Sequence, residues 1–243
     1  MVKLHYVVLA AIAVAFLAPL PTLGNIILPN LPAGSEYELV FVTRGARDAT
    51  TPYIADYNSF VIAQALQNPN LPQGITWNAI ASAAGDIHGF GMMDACQNAP
   101  FSASIPVYNT AGQLVANAPT PLYNANGTLI NAIGYDQFGN AWISVVWTGS
   151  NVDGTSDRPL GGQSEYGMPQ RGESAYKGRD NPGNLDDTWL SGGFDSQIFA
   201  CPLYALSSPI TVTAPEPGTL TLLTAGTIAL GACALRRRWM KAA

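Results

Sequence analysis

Two histidines and three cysteines in 243 residues leave little material for most enzyme chemistry. His5 lies in the apolar N-terminal stretch, so His88, in the loop Gly85–Gly91, would have to serve any Ser-His-Asp or Cys-His arrangement alone. A lone loop histidine is more often solvated than catalytic. The few cysteines and histidines, widely spaced, make no recognisable zinc site. Gly162-Gln163-Ser164-Glu165-Tyr166 fails as a nucleophile elbow, because Tyr166 stands where glycine is needed. Phosphate-loop and dinucleotide fingerprints are absent too. Charge is scarce at 11%, and between Asn25 and Ala214 six basic residues face fifteen acidic ones, a net of −9. Such a balance excludes the basic footprint of a nucleic-acid partner and fits an acidic, extracytoplasmic exterior.

What the sequence does have is two apolar ends. Residues 1–24 carry one positive charge, Lys3, then an apolar run from Tyr6 to about Leu20 and small or turn-forming residues up to Gly24. This is the pattern of a cleaved secretory signal peptide. A retained N-terminal membrane helix is the alternative; the shortness of the run and the helix breakers Pro19 and Pro21 argue against it. Residues 25–36 read as a linker and 37–213 as one extracytoplasmic domain, leaving 214–243 as a C-terminal segment. In that segment Gly218 to Leu235 is an apolar, charge-free run of eighteen residues, as a helix about 27 Å long and just able to cross a hydrocarbon core. Arg236, Arg237 and Arg238 follow at once and act as a membrane stop held on the cytoplasmic side.

Cys233 falls inside this run, which leaves Cys96 and Cys201 as an even pair in an oxidising compartment. A disulfide between them is expected, worth roughly 4–5 kcal/mol in the chain-entropy model. Two separate buried thiols are the alternative.

Within 37–213 the periodicity predicts an α+β chain. Tyr37 to Thr43 reads as a strand. Thr51-Pro52 opens a helix running to about Gln67, with Ile54, Tyr57, Val61 and Ala65 on one face and Asn68-Pro69 as its stop. Trp77, Ile80, Ala81 and Ala84 have the i, i+3, i+4, i+7 spacing of a second helix over Thr76 to Ala84, which makes Trp77 core rather than a ligand platform. Ile105 to Tyr108 and Leu114 to Ala116 flank a hairpin-like turn. Asn140 to Thr148 reads as a central strand, apolar on both faces. From Gly149 to Phe194 ten glycines appear in forty-six residues, a long loop region. Strands return over Ile198 to Leu206 and Ile210 to Val212.

Binding chemistry concentrates in that loop region. Tyr166, Tyr176, Trp189 and Phe194 stand among Gly and Asp, a composition suited to carbohydrate faces or protein partners; Trp189 and Phe194 packing under the loop is the alternative. Asp180, Asn184, Asp186 and Asp187 are oxygen ligands of the kind calcium takes, though their spacing matches no EF-hand and Asn/Asp-rich turns are common. A second functional reading is an extracellular hydrolase acting on polysaccharide through Glu165, Asp180, Asp186 and Asp187, whose carboxyl separations would have to fit a mechanism. Asn126-Gly127-Thr128 matches a glycosylation sequon.

Two resemblances go further. Pro215-Glu216-Pro217, the apolar run 218–235 and the arginines 236–238, in this order at the terminus, resemble the PEP-CTERM sorting signal of Gram-negative bacteria. The resemblance implies that Pro215, Glu216 and Pro217 are a processing site for an exosortase-type membrane enzyme. The run would then be a temporary inner-membrane anchor, and the mature protein would belong to the cell surface or extracellular polysaccharide matrix. A plain single-pass anchor is the alternative. The domain is similar to the C-type-lectin-like, especially endostatin-like, fold. Thr76 to Ser82 resembles its second helix, Val146 to Ser150 with Asp153-Gly154 its tryptophan-glycine turn, and Ala200 to Leu206 its closing cysteine strand. The Glu-Pro-Asn, Gln-Pro-Asp and Trp-Asn-Asp strings of calcium-dependent sugar binding are missing. Together these imply a non-catalytic, sorted envelope or matrix protein that binds carbohydrate or protein.

Overall fold

The computed structural model describes residues 25–85, 91–162, 168–174 and 189–213. The signal segment 1–24, the processing motif Pro215-Glu216-Pro217, the run 218–235 and Arg236, Arg237 and Arg238 lie outside the described residues. Among the described residues no helix is long and apolar enough to cross a membrane.

The described residues divide into two compact units, one of residues 25–30 with those between Tyr37 and Ile210 and one of Leu31–Glu36 with residues 211–213. In the second, Gly34 N donates to Val212 O and Val212 N to Ser35 O, each at 2.8 Å.

The first unit is α+β with a mostly antiparallel sheet. Its organising strand is β1 (Glu36–Val42), in which every residue after Glu36 is buried. Side chains alternate across a strand, so Tyr37, Leu39 and Phe41 share one face and Glu38, Val40 and Val42 the other. The first face packs Phe41 edge-on against Trp77, ring centres 4.9 Å apart. On the second, Val40 and Val42 enter a core shared with Ile80, Val107, Leu122, Val146, Trp189 and Tyr204.

Ile54, Tyr57, Val61 and Ala65 are all buried on α1 (Ile54–Ala65), as their spacing requires. The helix begins two residues after Pro52, with Tyr53 as its N-cap. Thr51 lies further out, where its Oγ1 donates to the Asp56 carboxylate at 2.5 Å. At the other end Asn68 Nδ2 donates to Gln137 O at 2.7 Å, so the residue that stops the helix also anchors it.

The expected second helix is absent. Trp77–Ala79 is strand β2, and from there to Ala84 the chain forms no helix, its backbone donors meeting distant partners: Ile80 N to Tyr204 O, Ser82 N to Thr148 O and Ala84 N to Leu160 O. The helical spacing misled because Trp77 and all of Ala79 to Ala83 are buried. A segment buried on every side has no polar face to reveal its period, and a nine-residue window is short for a helix in any case. The described residues contain one other helix, the single turn α2 (Ala95–Asn98).

β3 (Val107–Asn109) and β4 (Leu114–Ala116) form the expected hairpin. β5 is only Val145–Trp147. It pairs antiparallel with β6 (Arg171–Glu173) in a separate two-stranded sheet. Residues 140–148 are therefore no central strand, and Ile143 stands 76% exposed. Arg171–Glu173 in turn breaks the presumed loop 149–194 with regular structure. Of the strand expected over Ile198–Leu206 only the end is realised, as β7 (Tyr204–Ser207), while Ile198 and Phe199 face solvent. β8 is Ile210–Thr211. The main sheet follows the path β2-β7-β1-β3-β4, with β1 antiparallel to β7 and parallel to β3.

Candidate functional site

The region expected to bind ligand starts where β5 ends. Gly149 holds φ +63°, and a Cβ there would lie 2.3 Å from Ser82 O, so only glycine lets the chain pass this close to the 79–83 segment. Ser82 and Ser150 hydroxyls meet at 2.8 Å beneath the crossing. Beyond it the chain returns through Arg158, whose φ of 51° makes it the one non-glycine in the left-handed region among the described residues.

Three segments converge here. Gln170 N donates to Arg158 O at 3.0 Å, and Gln170 pairs in an isolated bridge with Phe194. Arg171 N donates to Gly193 O at 2.8 Å, and Gly192 N to Arg171 O at 2.6 Å. Arg158, Arg171 and Phe194 are thus brought to one surface by backbone hydrogen bonds. The Arg158 guanidinium lies 4.1 Å from the Phe194 ring centre, and that phenylalanine is 50% exposed. The Arg171 guanidinium is less committed: Nη1 is 3.7 Å from a Glu173 carboxylate oxygen, and Nε is buried without a hydrogen-bond partner. Sequence reasoning singled out Phe194 and missed both arginines, because nothing in their local strings distinguishes them from solvated charges.

Trp189, grouped with Phe194 by sequence, is a core residue. It is fully buried between Tyr123 and Tyr204, ring centres 6.5 and 5.5 Å away, and its carbonyl accepts from the Tyr204 hydroxyl at 2.9 Å. The other aromatics of the expected loop, Tyr166 and Tyr176, lie outside the described residues. So do His88, the calcium candidates Asp180, Asn184, Asp186 and Asp187, and Glu165. Among the described residues no three His, Cys, Asp or Glu side chains group closely enough to hold a metal ion.

The expected disulfide is not formed: Cys96 and Cys201 are both free thiols. Different elements hold them apart. Cys96 sits in α2 against the turn at Gly154, to whose carbonyl its N–H donates. Cys201 instead exchanges backbone hydrogen bonds with Arg47. Burial pushes both thiols up, helped by Asp94 at Cys96 and by Asp195 at Cys201, so neither is an activated nucleophile.

Several of the described carboxylates are engaged in separate places. Asp136 is fully buried, accepting from Arg44 Nη1 at 3.2 Å and from the backbone N–H groups of Phe138 and Asn140 at 2.9 Å each. Asp48 and Asp153 each close a turn onto a threonine two residues on, which lowers both below the usual carboxylate range. Glu38 stands apart. It is 3% exposed, its Oε2 has no partner, and burial pushes its carboxyl up to about 7. It is buried on the strand face it shares with Val40 and Val42. The chain matches no family model, no curated protein and no solved structure.

Proposed function

We propose that this chain is an exported, non-catalytic protein of the bacterial cell envelope or extracellular polysaccharide matrix, with a C-type-lectin-like binding domain. The signal peptide 1–24 directs export. The apolar run 218–235 holds the precursor in the inner membrane, and an exosortase-type enzyme processes it at Pro215-Glu216-Pro217. The observation that carries this reading is the C-terminal order itself: a Pro-Glu-Pro tripeptide at the outer boundary, a run just long enough to cross, and three arginines at the inner boundary. A plain anchor needs no such tripeptide.

The α+β layout and the surface at Arg158 and Phe194 support a binding role. An aromatic ring left half in solvent with a cation stacked on it offers a partner an apolar face and a positive charge together. Intact mass spectrometry of the protein recovered from cells and from their matrix tests the destination. The expected species lacks residues 1–24 and lacks Arg236, Arg237 and Arg238. Recovery of a membrane-bound chain that still carries the arginines would return the segment to a permanent anchor.

A further inference from the structure

We propose that Arg158, Arg171 and Phe194 form a binding site for an acidic saccharide, a polymer of uronic-acid type. The inference rests on the binding role proposed above and names its ligand class. In a region whose net charge is −9, two arginines flank the single dipeptide Gly193-Phe194. Neither is fully used. Among the described residues Arg158 forms no salt bridge and spends its guanidinium on the Phe194 ring 4.1 Å away. Arg171 is 24% exposed, and its Nη1 stands 3.7 Å from Glu173, too far for a hydrogen bond, so its terminal nitrogens are the part a ligand can reach. Asp195, the next carboxylate along, accepts from its neighbour Ser196 N at 2.8 Å.

Gly193 leaves the outer edge of the half-buried guanidinium uncovered. A Cβ at this position would lie 3.7–3.9 Å from Arg171 Nη2, Nε and Cζ, so any longer side chain would begin to cover them. The chemistry that completes the site is a two-oxygen acceptor for the guanidinium groups beside an apolar face for the ring. A uronate supplies both: a carboxylate, and the C–H face of a pyranose for the exposed side of Phe194. The left-handed backbone at Arg158 fits the same reading, since strain of this kind persists where function requires it.

The test is binding of the full chain in detergent to polygalacturonate and to the same polymer fully methyl-esterified, which keeps the sugar and removes the charge. Binding to polygalacturonate is expected, weakened about tenfold or more by esterification and strongly by molar salt. Arg158→Asn removes the guanidinium and suits the positive φ, so it should keep the thermal midpoint and lose binding about tenfold. Phe194→Leu should lose about three- to tenfold. Arg171→Lys keeps the charge but not the two-nitrogen fork and should also weaken binding. Equal binding of the esterified polymer, undiminished binding by folded Arg158→Asn and Phe194→Leu, or no binding to polygalacturonate would each overturn the site. The mass measurement reads only the chain ends. A correctly sorted protein that ignores polygalacturonate therefore overturns this inference and leaves the sorting reading intact.

Discussion

Glu38 shows how a single side chain can set the pH response of a fold. It shares its strand face with Val40 and Val42, and desolvation there lifts its carboxyl from an ordinary 4.5 to about 7. Well below about pH 4.5 both folded and unfolded chains hold the proton and ionisation of the residue costs nothing. As pH rises through this window the unfolded chain ionises first, so stability is lost until the folded carboxyl ionises near 7, after which the loss is complete. Allowing for partial solvent screening, the loss is on the order of 2 kcal/mol. Glu38→Gln should therefore match the parent in denaturant midpoint at pH 4.5 and exceed it at pH 8. Parallel stability profiles for the two proteins would show that Glu38 does not titrate in this range. Nothing in the local string, alternating and apolar, told that this carboxylate would be carried inside. Its i, i+2 relation to Val40 and Val42 placed it on their face, but which face is dry depends on the rest of the sheet.

At the scale of elements, strongly patterned segments were legible and fully buried ones were not. β1 and α1 follow from β-branched alternation and a 3.6-residue stripe, because each has neighbours on a defined side. β2 reads equally well as helix, since burial on all sides erases the period. β6 was hidden for a different reason: Arg-Gly-Glu has no strand propensity, and the strand exists because it lies between β5 and the 189–193 segment. That intermediate position makes Gly172 the critical residue of the small sheet. A Cβ there would sit 1.8 Å from Trp189 O, a backbone atom that cannot swing aside. Gly172→Ala should cost about 3 kcal/mol or more by forcing β6 away from residue 189. The expected readouts are a lowered thermal midpoint and a red-shifted tryptophan emission as Trp189 meets water. An unchanged melt would mean the small sheet is not part of the cooperative unit. The candidate site was partly legible for the same reasons: an aromatic in a Gly-rich stretch is visible, but two arginines brought beside it by hydrogen bonds from residues 158, 170 and 171 are not.

For the molecule as a whole, the cysteines separate inference by compartment from inference by geometry. Counting them in an oxidising setting pairs Cys96 with Cys201, whereas the fold keeps each thiol free in its own surroundings. Alkylation of the denatured chain without reductant, followed by peptide mapping, should label both residues fully, and reductant should leave the thermal midpoint unchanged. A linked peptide containing Cys96 and Cys201 would contradict the fold at both positions. By itself the sequence determined what depends on consecutive residues: the acidic balance, the two apolar ends, the strand at Tyr37 and the helix after Pro52. Such features are read within a few turns of chain, because hydropathy and periodicity are local quantities. Only the tertiary structure decided which residues were dry and which met. Leu39 N donates to Ser207 Oγ and Leu203 N to Thr43 Oγ1, each at 2.9 Å, across 168 and 160 residues of sequence. Burial of Glu38 and Trp189, and the meeting of Arg158 with Phe194, come from closures of that kind, which arise when the whole chain packs.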